Sequence, residues 1–419
     1  MKTKIAPMGW NSWDCYGTAV NEEIVRQNAE FMAKHLKQYG WEYIVIDAQW
    51  FEPKATSHAY NHFTDMCMDE YSRFIPAENR FPSSKGGKGF APLADYIHSL
   101  GLKFGIHIMR GIPRQAVHRN TKIKGTDKTA RQIAKMDSIC KWNTDMYGVD
   151  PSHEGAKEYY DSIFELYASW GVDFIKCDDI CRELPHEEEE LLMLSDSLHN
   201  CGRDMVLSLS PGPALLEKSE LYKQVSDMWR ITDDFWDDWE LLYDMFSRAE
   251  KWCTHAGAGH WPDADMLPIG PIKQDYDKSI RTNFTQNEQI TMMTLWSILR
   301  SPLIIGGEMT GFDDFTMSLI TNEGIINMHS DARHSHQVWR KEIDGIQLIL
   351  WTAVSSKGGT YIAIFNTGDK NSEIEIPLSD LEIDSGISGV ELWSGKKISA
   401  KDSLKVSLES HGSKAYLVK

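Results

Sequence analysis

Up to about residue 328 the chain alternates short apolar runs with stretches of helical periodicity, and that alternation limits its fold more than any other feature. The apolar runs lie at 5–13, 43–50, 103–108, 172–179, 205–210, 228–234, 261–267 and 302–307. The run at 43–50, Y-I-V-I-D-A-Q-W, is nearly continuous as far as Asp47. Parallel strands buried on both faces read this way, whereas half-exposed antiparallel strands alternate. Between the runs, residues 21–39 set Ile24, Val25, Ala29, Met32 and Leu36 at helical spacing. Similar stretches lie at 91–100, 155–170, 187–198, 214–222, 238–252, 287–299 and 312–321. Strands alternating with helices predict an α/β fold with a parallel sheet, here a (β/α)8 TIM barrel. Residues 51–90 and 109–154 read as long connections, the second with helical turns. From 337 onward the pattern switches to short alternating segments punctuated by Asp369, Asn371, Gly386 and Gly395, which predicts an antiparallel β-sandwich. The expected organisation is a barrel over 1–328 and a C-terminal β-sandwich over 329–419. At 419 residues the chain has room for both, since such barrels take about 250.

Charge and cysteine usage narrow the function classes. The formal net charge is −17 and no basic block occurs, which argues against a nucleic-acid or anionic-membrane surface. No apolar run reaches the length of a membrane-spanning helix. Seven cysteines at irregular spacings, without a C-x-x-C pair, argue against a disulfide framework or a zinc ribbon. The N-terminus lacks a signal-peptide-like stretch, so a reducing, cytoplasmic setting is expected. His255, His260 and Asp263 or Asp265 lack zinc-site spacing, and G-G-K-G at 86–89 lacks the order of a phosphate loop. No metal and no cofactor is therefore expected. His329, His334 and His336 are expected at the surface of the domain junction.

In such barrels the active site lies at the C-terminal strand ends. The run at 172–179, V-D-F-I-K-C-D-D, puts Lys176 and Asp178 on one face and Cys177 and Asp179 on the other. The second run ends at Asp47, the third carries His107 and leads to Arg110, and the fifth ends at Ser208 and Ser210. The sixth presents Arg230, Thr232 and Asp234 by period-two spacing, and the seventh brings Asp263 and Asp265. Trp10, Trp13, Trp50, Trp229, Trp236 and Trp261 flank these positions. Any one of them alone reads as a solvated acid or a core aromatic; their joint placement at nearly every strand end does not. Glycosidic cleavage needs one ionised and one protonated carboxyl group. Lys176 would hold Asp178 ionised, and Asp233, Asp237 and Asp238 would favour a protonated Asp234.

These residues carry a resemblance. M-G-W-N-S-W at 8–13, Y-I-V-I-D-x-x-W at 43–50, F-I-K-C-D at 174–178, W-R-I-T-D-D at 229–234 and W-P-D-A-D-M-L-P-I-G at 261–270 occur in order. They resemble the landmarks of glycoside hydrolase family 27, which contains α-galactosidases and α-N-acetylgalactosaminidases. The resemblance implies a retaining double displacement with Asp178 as nucleophile and Asp234 as acid/base. It also implies Lys176, Arg230, Trp13, Asp47 and Asp265 as sugar-binding residues, with His107 and Ser210 at two further substrate positions. Four positions depart from it. The family's paired aspartates after the second strand are Asp47-Ala48 here, and those carboxylates grip the 4- and 6-hydroxyl side of galactose. The usual tyrosine on the third strand is His107. The galactosidase glutamate on the fifth is Ser210, as in the N-acetylgalactosaminidase branch. The nearby family disulfide is absent because Ile180 takes the cysteine position.

The expected function is removal of a terminal α-galactosyl residue from an oligosaccharide or glycoconjugate. N-acetylgalactosamine and β-L-arabinopyranose follow as alternative sugars, the last because it lacks the 6-hydroxymethyl group. A catalytically inactive sugar-binding barrel is the rival of a different class. Expected partners are small-molecule or oligosaccharide substrates, with no nucleic acid or membrane, and the resemblance allows a homo-oligomer.

Overall fold

A computed structural model of the chain describes residues 3–56, 59–182, 187–274, 276–384 and 386–419. One parallel sheet contains β1 (Met8–Asn11), β2 (Tyr43–Ile46), β3 (Lys103–Met109), β4 (Phe174–Asp178), β5 (Val206–Leu209), β6 (Met228–Arg230), β7 (Trp261–Asp263) and β8 (Leu303–Ile305). Strands follow one another around the sheet, and β1 also pairs with β8. The ring closes where Leu267, just past β7, bridges to Ile305 of β8. The Leu267 N–H donates to the Ile304 carbonyl at 2.7 Å, and the Gly306 N–H donates to the Leu267 carbonyl at 2.9 Å. The strands are three to seven residues long and almost entirely buried, as both-face coverage requires.

Helices follow the strands: α1 (Glu22–His35), α2 (Ala91–Ser99), α3 (Ala156–Ser169), α4 (Glu188–His199), α5 (Ser219–Val225), α6 (Trp239–Trp252), α7 (Gln286–Leu299), then α8 (Asp314–Ile320) and α9 (Glu323–Asp331). Polar caps set several starts. The side chains of Asn21, Asp238, Thr285, Asp313 and Asn322 each accept a hydrogen bond from an N–H in the first turn. The acidic start of α4 faces the positive end of the helix dipole.

The long connection after β3 is more regular than its sequence suggests. Ile112–Pro113, Ala134–Ile139 and Met146–Val149 form a small antiparallel sheet, with a helical turn at Arg114–Arg119. Its entry requires glycine. Gly111 has φ 92°, and a Cβ there would lie 1.9 Å from the Tyr147 carbonyl oxygen.

The β-module holds β9 (Ala332–Ile343), β10 (Ile346–Ser355), β11 (Thr360–Asn366), β12 (Ser372–Pro377), β13 (Ile387–Glu391), β14 (Lys397–Ala400), β15 (Ser403–Leu408) and β16 (Ser413–Val418). Six strands make an antiparallel sheet in the order β9-β10-β11-β16-β13-β14, and β12 pairs with β15. Leu348, Leu350, Ile362 and Ile364 face Ile374, Ile376, Leu404 and Val406 in the sandwich core. The alternate residues Ile349, Trp351, Ala363 and Phe365 join the barrel's core instead. The strand period thus serves two cores at once.

Two expectations change. The last barrel helix, α9, runs through Asp331, so the division falls after it and not at 328. β9 carries an exposed, charged sequence without clean alternation, which hid it. His329 is fully buried inside α9, and its Nε2 lies 2.8 Å from the Ser301 carbonyl oxygen. His334 and His336 are exposed.

Candidate active site

The C-terminal strand ends frame a cavity of about 280 Å³ lined by Trp13, Asp47, Tyr60, Trp142, Lys176, Asp178, with Arg182, Pro211, Asp233 and Asp234 at its rim. That volume is at the small end for ligand cavities and suits one sugar ring.

Asp178 ends β4 and is buried. Its Oδ2 accepts from His107 Nε2 at 2.8 Å, and its Oδ1 accepts from the Ser210 hydroxyl. An ionised carboxylate only accepts, so the His107 ring carries its hydrogen on Nε2. Burial pushes the Asp178 carboxyl up, but the Lys176 charge and the bonds from His107 and Ser210 outweigh it. The net effect holds the group well below the usual carboxylate range. Asp179 faces the other way and pairs with Arg110 at 2.8 Å.

Lys176 Nζ donates to Asp47 Oδ2 at 2.8 Å, and Asn11 Nδ2 donates to the same oxygen at 2.8 Å. Burial opposes the Asp47 charge, yet Lys176 and His107 leave its carboxyl lowered. The Lys176 ammonium is held charged by Asp47 and Asp178 against burial.

Across the mouth, Arg230 ends β6 and is 2% exposed. It meets Asp265 Oδ2 at 2.7 Å and Asp234 Oδ1 at 3.2 Å. Burial pushes the Asp265 carboxyl up to about 7 despite Arg230. Asp265 holds φ 81°, a left-handed backbone that aims its side chain inward, and it accepts from the Phe235 N–H at 2.8 Å.

Several sequence expectations take a different form. Asp234 is not on a strand: β6 stops at Arg230, and Asp234 reaches back from the following loop with its side chain 59% exposed. Its acidic neighbours do not crowd it. Asp233 pairs with Arg182 at 2.6 Å, Asp237 accepts from the Asn283 N–H, and Asp238 caps α6. His107 and Ser210, expected to touch substrate, commit the polar atoms named above to Asp178. Trp10, Trp50, Trp229 and Trp261 are fully buried core residues, because β-barrel packing takes them before any ligand does. Trp13 does line the cavity.

Tyr60 and Trp142 escaped the sequence reading because both sit in long connections. The Tyr60 ring lies 5.4 Å from Trp13 and 5.2 Å from Trp142, making an aromatic wall. Gln49 fixes the strap that carries Tyr60: its Oε1 accepts from the Asn61 N–H at 2.9 Å and its Nε2 donates to the Asn61 carbonyl at 3.1 Å. The signal available in sequence was only an aromatic inside a polar loop.

The arrangement offers one carboxylate held ionised inside the cavity, a second carboxyl at its mouth, and fixed polar groups around one ring-sized space. Among the described residues no cluster of metal-ligating side chains occurs. No helix among them is long and apolar enough to cross a membrane.

Comparison with known proteins gives consistent matches. A family model described as Alpha galactosidase A matches residues 5–154 and 151–331. A second, Alpha galactosidase C-terminal beta sandwich domain, matches 346–418. Alpha-galactosidase 2 of Arabidopsis thaliana is 25% identical over 414 residues, covering 98% of this chain and 88% of that protein. Alpha-galactosidase A of Cellvibrio japonicus is 25% identical over 434 residues, covering 98% and 90%. The crystal structure of a family 27 β-L-arabinopyranosidase from Geobacillus stearothermophilus is 52% identical with TM-score 0.96, covering 99% of this chain and 96% of that one.

Proposed function

The chain belongs to glycoside hydrolase family 27, and from that premise we propose that it is a retaining exo-glycosidase whose preferred terminal sugar is β-L-arabinopyranose. The observation that carries the sugar preference is the turn after β2. Asp47 is the one carboxylate there; Ala48 follows with a methyl group, and Gln49 turns its amide to the Asn61 strap. A hexose would bring its hydroxymethyl group to this side without the second carboxylate that galactosidases of the family place there. A pentopyranose has no such group to leave unpaired. The 52% identical arabinopyranosidase supports the same reading. The α-galactosidases matched over 98% of the chain favour α-galactoside as the second reading.

In the proposed reaction the Asp178 carboxylate attacks the anomeric carbon. Asp234, open to solvent at the mouth, protonates the departing oxygen. It then takes a proton from the water that releases the sugar. Lys176, Asp47 and Arg230 hold sugar hydroxyls, and Trp13 offers a face to the ring.

Aryl β-L-arabinopyranoside, α-D-galactoside and α-N-acetylgalactosaminide assayed side by side test this. The expected result is a kcat/KM at least roughly tenfold higher on the arabinopyranoside, within what one small group can discriminate. A preference for the galactoside would overturn the sugar assignment. Product NMR at early times should show the substrate's own anomeric configuration first.

A further inference from the structure

A wider groove, about 840 Å³, runs beside the catalytic cavity. The two share their dividing walls. The strap that sends Tyr60 into the cavity presents residues 63–66 to the groove, and the segment that carries Trp142 presents Asp145 and Tyr147. The Phe63 N–H donates to Asp145 Oδ1 at 2.8 Å and ties the two walls together.

Arginine sets the groove's chemistry. Arg114 lies 5.5 Å from the Phe63 ring centre and 4.9 Å from that of Tyr147, and it donates to the Thr144 carbonyl at 3.1 Å. Arg131 donates to the Val117 and His118 carbonyls at 3.0 and 2.8 Å. Both guanidinium groups donate to neutral carbonyls. Arg114 also acts on the Asp145 carboxylate in the same lining, whereas among the described residues Arg131 has no ion-pair partner. Arg119, the third, shares its charge with exposed Asp65 at 3.2 Å. Phe63 is 74% exposed and Met136 55%, so the groove also offers bare apolar surface. Three arginines against the carboxylates of Asp65 and Asp145 leave the groove net positive, which is out of character for a chain of net charge −17.

We propose that this groove binds the acidic part of the glycan whose terminal sugar fills the cavity: residues bearing carboxylates, that is, uronic acids. The guanidinium forks of Arg114 and Arg131 match carboxylates, and the Phe63 and Tyr147 rings match sugar faces. The ligand class rests on the glycosidase reading: the groove lies on the other side of the segments that carry Tyr60 and Trp142, within reach of sugars beyond the one in the cavity. It does not depend on which terminal sugar is preferred.

The test is titration calorimetry of the full chain with trigalacturonate and, as the neutral control, a galactotriose. Trigalacturonate should bind, lose affinity as salt rises, and exceed galactotriose roughly tenfold. Arg131→Gln and Met136→Glu should each weaken it roughly tenfold while kcat/KM on a neutral aryl glycoside stays unchanged. Met136→Glu alters an exposed side chain and leaves the Arg131 carbonyl bonds in place, so its effect is not one of unfolding. Absent binding, equal binding of the two trisaccharides, or binding that both variants leave intact would overturn the proposal. Self-association blocked by Met136→Glu, without uronate binding, would assign the groove to a second copy and equally overturn it. Failure of the aryl glycosides alone, with uronate binding as stated, sinks the sugar assignment and leaves this site standing.

Discussion

A buried carboxylate stays charged only if its surroundings supply what water would have supplied. Asp178 has three such supports: the Lys176 charge, the His107 ring N–H and the Ser210 hydroxyl. A nucleophile works ionised, so activity is present above its folded value and lost as pH falls through it. Removing one donor raises that value. Ser210→Ala is therefore expected to move the acid limb of the kcat/KM profile to higher pH by about 1–2, the worth of one hydrogen bond to a charged group. An unmoved limb in a pH–rate series would separate Ser210 from the nucleophile. The pairing of Lys176 with the Asp178 face was legible because strand period is a local property. That His107 and Ser210 spend their polar atoms on Asp178 was not, because it depends on how neighbouring strands register: His107 and Ser208 both lie opposite Lys176. Sequence names the residues at a strand end; register decides which of them touch.

Elements were legible where periodicity runs long and illegible where it stops. The barrel helices other than α9 matched their apolar spacing to within about five residues, and side-chain caps account for the starts of α1, α6, α7, α8 and α9. Period-two reasoning failed just past β6, because the strand ends at Arg230 and Asp234 belongs to a loop. The strands after β3 were missed because their partners lie elsewhere in the chain, and β9 because its charged sequence hides a hairpin partner only two residues away. α7 joins the two modules. Eleven of its residues are buried, and Trp393 and Ser413 both bond Thr294 while His411 meets Glu288 at 2.7 Å. Its start is a reciprocal capping box between Thr285 and Glu288. Thr285→Ala should destabilise the protein by about 1 kcal/mol in urea unfolding. A change near zero would mean that packing alone fixes this helix.

At the scale of the molecule, one buried group links stability to pH. Burial holds the His329 ring down to about 4, beneath its ordinary 6.5. The unfolded chain therefore binds the extra proton first as pH falls. Stability from this residue is full above about 6.5 and is lost on the way down to about 4, a difference on the order of 3 kcal/mol. His329→Gln should flatten that part of the curve relative to the parent when Tm is followed from neutral to acid pH. Parallel curves for the two proteins would assign the acid loss to carboxylates alone. The two-module layout was legible from the switch in periodicity after 328, but the way the modules share a core was not. It follows from the six-stranded sheet turning its second face to the barrel. That sheet also has a consequence for biosynthesis. β16, residues 413–418, lies in its middle, between β11 and β13. A ribosome making this chain completes the barrel sequence first, yet the sheet face that covers α7 lacks its central strand until residue 418 has left the exit tunnel. Final docking of the two modules thus waits for residues 413–418, and α7 is the surface left uncovered in the interval.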